Sequence, residues 1–124
     1  MPLLHAELSE AIIGCCIRVH KALGPGFLEK IYEEALCLEL AKSGLTYERQ
    51  KPVAVFYDRN QVGEHRLDLV IQNLVVVELK ATAGIEDIHL ATVRSYLKAT
   101  SLQLALVINF ARATLDIRRV VLTP

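Results

Sequence analysis

The spacing of hydrophobic residues divides the chain into helical and extended segments. Apolar positions recur at helical intervals over residues 6–22, with Ser9 as a local cap, and again over 27–43 and 86–100. Gly24-Pro25-Gly26 ends the first helix, because proline cannot continue the hydrogen-bond ladder. Runs rich in β-branched and aromatic residues predict five strands, over 52–57, 62–71, 74–80, 102–110 and 114–122.

The apolar stripe of each helix predicts the face that it buries. In the second helix this stripe comprises Leu28, Ile31, Ala35, Leu38 and Leu40. The order of elements, with helices around and between strands, predicts an α/β fold of the α+β sandwich type, in which helices pack on one mixed sheet. A length of 124 residues is typical of a single domain, taken here as 1–124.

Charge and composition limit the classes of function. The chain has 14 basic and 14 acidic residues and therefore no net charge. Binding to nucleic acid would then require a local basic patch, a metal ion or several subunits. No apolar run approaches the ~20 residues of a membrane-spanning helix, and no basic region precedes an apolar stretch at the start. The odd cysteine count favours buried thiols, and we expect a cytoplasmic protein without membrane contact.

Two carboxylates are brought together by the apolar pattern alone. Residues 62–71 and 74–80 can form an antiparallel hairpin. The apolar row that ends in Ile71 and the apolar row that starts with Val75 then face one core only if the residue numbers of each cross-strand pair give an even sum, such as 146 for Ile71 and Val75. That register places Asp68 opposite Glu78, about 5 Å apart at Cβ. A two-residue turn would give an odd sum, so we predict a longer loop or a bulge. Leu67, Leu69 and Ile71 should then share one face.

This pair suits a divalent metal. Two close carboxylates repel unless a cation or proton lies between them, and carboxylates with a carbonyl, here that of Leu79, suit Mg²⁺ or Mn²⁺. Lys80 shares a face with Glu78 and can orient a water or stabilise charge on a phosphate. Such a site suits metal-assisted phosphodiester hydrolysis, although triplets of this kind arise easily and the bare pattern by itself favours a structural role. The alternative is a salt-bridged polar face of Asp68, Glu78 and Lys80 on an exposed side of the sheet.

Further motifs extend the pattern over residues 9–122. Gly26, Glu29 and Tyr32 lie in a GPGxxExxY segment, and the order continues with Arg66-x-Asp68, Glu78-Leu79-Lys80, Tyr96-Leu97-Lys98-Ala99-Thr100 and Ile108-Asn109-Phe110. This order resembles the GxxExxY protein family of the PD-(D/E)xK nuclease superfamily. The resemblance implies a restriction-endonuclease-like core, with a central mixed β-sheet flanked by helices and a metal site at one end of the sheet.

The resemblance also implies roles for particular residues. Asp68 and Glu78 would be metal carboxylates, Lys80 the catalytic lysine, and Glu29 a further acidic ligand or an orienter of metal-bound water. RecB-like exonucleases of the superfamily carry a QxxxY motif after the ExK strand. The same spacing here gives Thr92 and Tyr96, so the tyrosine is present and a threonine replaces the glutamine.

Several side chains carry both a functional and a structural interpretation. His20 and Tyr32, like Thr92 and Tyr96, would contact the substrate or support the site. Structurally, Glu29 and His20 complement helix dipoles, and Tyr32 can pack its ring and bond its hydroxyl. His89 lies three and seven residues before Thr92 and Tyr96, facing either the site or solvent. Three arginines form either a small basic patch or a solvated strand edge: Arg112, Arg118 and Arg119.

Two functions follow as hypotheses. The first is a small nuclease dependent on Mg²⁺ or Mn²⁺, acting on DNA in preference to RNA, in which Asp68 and Glu78 hold the metal and Lys80 positions water. Charge neutrality favours action as a homo-oligomer or with a partner protein. The second is a catalytically weak or inactive nuclease-fold module that binds nucleic acid or self-assembles, which the missing glutamine and zero net charge favour.

Overall fold

Three helices cover a five-stranded sheet in the computed structural model of the protein, which describes residues 3–123. The helices are α1 (Ala6–Leu23), α2 (Glu29–Lys42) and α3 (Asp87–Thr100). The strands are β1 (Tyr47–Tyr57), β2 (Asn60–Ile71), β3 (Val75–Lys80), β4 (Leu104–Asn109) and β5 (Asp116–Val121). The predicted α+β architecture, a mixed sheet flanked by helices, is confirmed.

The strands lie in the sheet in their order along the chain, β1-β2-β3-β4-β5. Only β3 and β4 run parallel, and the other neighbours are antiparallel. A parallel pair needs a crossover, which α3 supplies between the end of β3 and the start of β4. The chain that follows β3 therefore begins at the same end of the sheet as the loop that leaves β4.

The sheet separates two hydrophobic cores. Alternate residues of β3 and β4 pack on one side against α1 and α2, which bury all three cysteines. On the other side, Val76, Ala105 and Val107 pack against Val93 and Leu97 of α3. Because both faces are covered, β3 and β4 are almost continuously apolar. Glu78 and Asn109 are the polar residues buried in these strands.

Element bounds differ from the sequence prediction at the polar ends. Helix α1 begins at Ala6, and Ser9 is inside it, its hydroxyl donating to the His5 carbonyl at 2.8 Å. The prediction of Ser9 as the cap was therefore wrong. Strand β1 begins at Tyr47 instead of residue 52. Its first residues have mostly charged or polar side chains, which do not indicate a strand in the sequence, but their backbone pairs with β2.

The buried face of α2 was predicted correctly only in part, because Leu40 is fully buried and Ala35 packs against the core, but the other three predicted positions are exposed. Leu28 and Leu38 are 76% and 65% exposed, and Ile31 is also exposed. The face that packs on the sheet is rotated by one residue, and comprises Tyr32, Glu33, Leu36, Cys37 and Leu40. A hydrophobic stripe read from the sequence does not count Glu33 as buried, although in the fold its charge is compensated by Arg49.

The predicted register of the β2–β3 hairpin is confirmed. Ile71 pairs with Val75 and Leu69 with Val77, and both sums equal 146. The connection is a loop of three residues, 72–74, in which Gln72 and Asn73 have positive φ angles of 53° and 56°. The expected longer loop is thus present, and it preserves the even sum that the apolar rows require.

One member of the predicted apolar row lies on the opposite side. Leu69 and Ile71 pack against α1 and α2, whereas Leu67 packs with the α3 core. The regular alternation breaks at Asp68, opposite Gln50 of β1, whose φ of 49° is left-handed. This irregularity lies beside the candidate site.

No helix within residues 3–123 is both long enough and apolar enough to span a membrane.

Candidate active site

The candidate site begins where β2 and β3 stop pairing. Their main-chain pairing ends at Leu69 and Val77, and beyond it the Asp68 carboxylate lies between the strands. Asp68 Oδ2 accepts a hydrogen bond of 2.9 Å from the Leu79 N–H. The side chain therefore takes the place of a strand carbonyl as the partner of Leu79. The half-buried Asp68 carboxylate thus lies between two strands, where continuous strand pairing would leave no room for it.

Glu78 lies beside Asp68 and is only 7% exposed. Its Oε2 is 4.0 Å from Lys80 Nζ, whereas its Oε1 is buried and has no hydrogen-bond partner among residues 3–123. A buried carboxylate oxygen without a partner is costly, because water no longer solvates it. The alternative of a salt-bridged face exposed to solvent does not describe Glu78, which is in the interior.

Burial and mutual repulsion govern the titration of this pair. Burial, followed by the negative charge of Asp68, raises the pKa of Glu78 to about 8, against the lowering effect of Lys80. Burial also raises the pKa of Asp68, although the Leu79 N–H and the Gln50 amide favour its ionised form. The pair therefore holds a proton at neutral pH unless a cation replaces it.

The strand and loop around Lys80 are fixed by Asn109. The Lys80 carbonyl accepts from the Phe110 N–H at 2.9 Å, which carries the β3–β4 pairing to the end of the strand. Asn109 is fully buried; its Oδ1 accepts from the N–H groups of Thr82 and Ala111 at 3.2 and 3.1 Å, and its Nδ2 donates to the Thr82 carbonyl at 2.9 Å. These bonds hold the loop that follows Lys80.

Glu29 reaches the same end of the sheet from α2. It is the first residue of the helix and lines a cavity of about 380 Å³ together with Asp68 and Leu79. Partial burial raises the pKa of Glu29, Lys80 counteracts this rise, and the negative charge of Asp68 adds to it. The structure thus brings Glu29, Asp68, Glu78 and Lys80 into one neighbourhood.

The sequence analysis did not identify four further residues that line this cavity, namely Lys30, Glu33, Arg49 and Gln50. Glu33, one turn after Glu29, is 7% exposed and accepts from Arg49 Nη2 at 3.0 Å and from Gln50 Nε2 at 2.8 Å. The same Gln50 amide donates to Asp68 Oδ1 at 3.4 Å. The available signal was the i, i+4 spacing of Glu29 and Glu33, which places both on one side of a helix.

Helix α3 contributes Tyr96 to the site and leaves Thr92 outside it. Tyr96 is nearly buried, and its burial, followed by the charges of Glu78 and Asp68, raises its pKa to about 12. Its ring lies edge-on to His65 at a centroid distance of 4.7 Å. The exposed Thr92 donates its hydroxyl to the Ile88 carbonyl at 2.9 Å. Thr92 therefore does not replace the glutamine of the QxxxY motif.

The two remaining histidines of interest have local partners. His89 Nδ1 accepts from the Glu86 N–H at 2.9 Å in a capping box at the start of α3. His20 Nε2 donates to the Arg112 carbonyl at 2.9 Å, and its ring is 6.1 Å from that of Phe110. The contacts of His20 are with the β4–β5 connection instead of the carboxylates.

Tyr32 contacts the loop that precedes Glu29. Its ring is fully buried and stacks on Phe110 at a centroid distance of 4.5 Å. Its hydroxyl donates to the Gly24 carbonyl at 2.6 Å and accepts from the Phe27 N–H at 3.3 Å. Gly24 and Gly26 have φ angles of 70° and 112°, which favour glycine. The predicted packing and hydroxyl bonding of Tyr32 are observed.

The three arginines near the last strand do not form one patch. Arg118 bonds Asp116 at 3.0 Å, whereas Arg119 bonds Ser9 at 3.1 Å and the Leu4 carbonyl. Arg112 donates to the Ala83 carbonyl at 3.3 Å. Neighbouring residues of a strand point to opposite faces, so Arg118 and Arg119 cannot present a common surface.

A divalent ion fits the carboxylate pair. The pair offers hard oxygen donors, including the partnerless Glu78 Oε1, and an ion there would remove the repulsion between Asp68 and Glu78. Within residues 3–123, however, no three His, Cys, Asp or Glu side chains are grouped closely enough to bind a metal by themselves. The protein thus supplies a partial ligand set.

A mixed sheet flanked by helices, with an acidic pair and a lysine at one end, defines a nuclease-like fold and site. A family model described as the PD-(D/E)XK nuclease superfamily matches residues 6–120, and the chain belongs to this superfamily. Its fold is thus restriction-endonuclease-like, and the superfamily generally uses divalent metals. Neither the search of curated proteins nor that of solved structures gave a match.

Proposed function

We propose that the protein is a metal-dependent nuclease that hydrolyses phosphodiester bonds of DNA. The observation that carries this proposal is the buried Glu78 carboxylate, with one oxygen lacking a partner among the described residues, between Asp68 and Lys80. Because no described side chain or backbone group satisfies this oxygen, it is available to a bound cation. Membership of the nuclease superfamily supports the class of reaction.

Each residue near the pair has a proposed role. Asp68 and Glu78 would hold Mg²⁺ or Mn²⁺, with the Leu79 carbonyl as a further ligand, and Glu29 would complete the set by moving toward the bound ion. The ion, when bound, would polarise the phosphate and lower the pKa of a coordinated water. Lys80 donates hydrogen bonds to the attacking water or to the phosphate oxygens. Tyr96 limits the access of water to Glu78, and Glu29 alternatively orients the water.

The finer assignments rest on the sequence and on charge. The motif order supports placement in the GxxExxY family and DNA as substrate. Zero net charge means that a monomer attracts DNA weakly over distance, so we propose that a homo-oligomer or a partner protein supplies further contacts. The three buried free thiols support the cytoplasmic location that we propose.

A non-catalytic role is the second candidate. Thr92 occupies the position of the motif glutamine and bonds its own helix, and the described residues contain no complete group of three metal-binding side chains. In that case, the chain would bind nucleic acid or self-assemble without cleaving. Its acidic pair would then keep a proton at neutral pH instead of a metal.

Cleavage assays separate the two candidates. Linear single- and double-stranded DNA and RNA are incubated with Mg²⁺ or Mn²⁺ and with wild type, Glu78→Gln or Lys80→Ala. We expect both variants to lose about 10²–10³-fold in rate, which is the usual effect of losing one transition-state contact. The matched controls, Glu64→Gln and Lys51→Ala, alter exposed or half-buried charges of the same sheet and should cleave normally.

Binding without cleavage by pure wild type would favour the non-catalytic module. Cleavage that persists in both Glu78→Gln and Lys80→Ala would place the activity at another site, or in a contaminant, and contradict the proposal.

A further inference from the structure

A single amide joins the helix that carries Glu29 to the strand that carries Asp68. Gln50 Nε2 donates to Glu33 Oε1 on α2 at 2.8 Å and to Asp68 Oδ1 on β2 at 3.4 Å. Both acceptors are carboxylate oxygens, so the NH₂ group of Gln50 must face them. Glu33 lies one turn after Glu29, so this bridge reaches the turn of α2 from which Glu29 projects.

The acceptor on α2 is itself held in place. Glu33 is 7% exposed, and its other oxygen accepts two bonds from Arg49, at 3.3 Å from Nε and 3.0 Å from Nη2. The Arg49 charge therefore compensates Glu33 and leaves Oε1 for Gln50. Asp68 is fixed on its far side by the Leu79 N–H. Gln50 of β1 thus connects Glu33 of α2 with Asp68 of β2, and each of these two carboxylates has a second partner.

The backbone at Gln50 adopts a conformation that is unfavourable for a residue with a side chain. Its φ of 49° is left-handed, a conformation that costs free energy for residues other than glycine. Such positions persist where the surroundings determine them, and they cluster at functional sites. A glycine would relieve the backbone but could not bridge the two carboxylates. The amide is therefore the feature of Gln50 that the site uses.

We infer that Gln50 is a positioning residue that sets the distance between the Glu29 and Asp68 carboxylates and orients Asp68 toward a bound divalent ion. This inference rests on the proposed metal-dependent function. It also assigns an amide to the site: Thr92, at the α3 position where RecB-like exonucleases carry glutamine, directs its hydroxyl to Ile88, whereas Gln50 contacts Asp68 from β1.

The test compares Gln50→Leu with Gln61→Leu, the same substitution at an exposed position of the β1–β2 hairpin. Thermal unfolding with increasing Mn²⁺ measures metal binding without substrate, and cleavage gives the Mn²⁺ concentration for half-maximal rate. We expect Gln50→Leu to need about 10–100-fold more Mn²⁺ in both measurements, as is usual when a ligand loses its hydrogen-bonding support. Saturating Mn²⁺ should restore most of the rate, and Gln61→Leu should match wild type.

Gln50→Gly is the second variant, in case Gln50→Leu does not fold, because glycine suits the positive φ angle. A lowered melting temperature with an unchanged Mn²⁺ requirement, in either variant, would show a merely structural role and overturn the inference. Wild type that neither cleaves nor gains stability with Mn²⁺ would instead overturn the proposed function, and the inference with it.

Discussion

The two halves of β3 differ in their strand pairing and in the polarity of their side chains. At its beginning, Val75 to Val77 pair with both β2 and β4, and each side chain is fully buried among apolar neighbours. At its end, Glu78, Leu79 and Lys80 retain β4 as a partner, but the pairing with β2 gives way to the Asp68 carboxylate. Hydrophobic burial stabilises the first half. The second half contains buried charge that opposes folding.

This contrast shows how a small domain can support a reactive site. The stability gained by burying the paired half offsets the cost of burying the acidic half, and the two halves are adjacent on one strand. Polar groups held on strands are positioned more accurately than those on loops. We therefore expect substitutions at the paired end to alter stability and substitutions at the acidic end to alter metal binding.

Leu106→Ala should produce the largest change in stability. Leu106 is fully buried in β4 opposite Val77, so truncation removes apolar contacts and leaves a cavity. We expect a loss of about 2–5 kcal/mol in the free energy of unfolding, measured by urea denaturation. Leu38→Ala, at an exposed position of α2, is the control and should change stability by less than about 0.5 kcal/mol. Equal losses in both variants would contradict the assignment of the core.

Asp68→Asn should abolish most of the stabilisation by divalent metal. An ion at 100 times its dissociation constant adds about 2.7 kcal/mol to the free energy of unfolding. The asparagine removes one carboxylate of the pair, so Mn²⁺ should raise the melting temperature of wild type much more than that of the variant. Glu64→Gln, on the exposed part of β2, should respond as wild type does. An undiminished shift in Asp68→Asn would mean that Mn²⁺ binds elsewhere.

Glu78→Gln should stabilise the metal-free protein while it impairs cleavage. The pKa of Glu78 is about 8 in the fold, above its ordinary value of 4.5, so the folded state binds more protons than the unfolded chain between these pH values. Its contribution to stability is therefore complete below pH 4.5 and declines as pH rises toward 8, with a maximum slope of about 1.4 kcal/mol per pH unit.

Chemical denaturation across pH 4.5–8 measures this effect. In Glu78→Gln the decline should flatten, and the variant should exceed wild type by about 1–3 kcal/mol near pH 8, the cost of a buried unsatisfied group. Two parallel pH profiles would show that Glu78 titrates normally and would remove the distinction between the two halves of β3.

Tyr32→Phe should have the smallest effect. The substitution keeps the stacking on Phe110 and removes the hydroxyl that bonds Gly24 and Phe27. We expect a loss of about 0.5–1.5 kcal/mol in the free energy of unfolding, the usual contribution of a hydrogen bond. Because Tyr32 does not contact the carboxylates, the Mn²⁺ requirement should stay the same. A large rise in that requirement would extend the site to the loop before α2.

The sequence determines the central pair more clearly than its surroundings. The parity of the apolar rows predicted the register that brings Asp68 and Glu78 together, because a slip by one residue would expose a whole row. Glu33 was missed because a charged residue is not expected in a buried helical face. Gln50 was missed because its left-handed backbone depends on tertiary contacts, and local patterns do not encode those. Tertiary packing also decides which side of α2 is buried, so the prediction was right for Leu40 and wrong for Leu28 and Leu38.

The most direct test of the account is the number of protons released when Mn²⁺ binds to the metal-free protein. Titration calorimetry at pH 7, in buffers that differ in ionisation enthalpy, gives this number. With the pKa of Glu78 at about 8, wild type should release about 0.9 proton per bound ion, because the metal replaces the proton on the pair. Glu78→Gln should release far less. Binding without proton release, or equal release by both proteins, would contradict a metal site on Asp68 and Glu78.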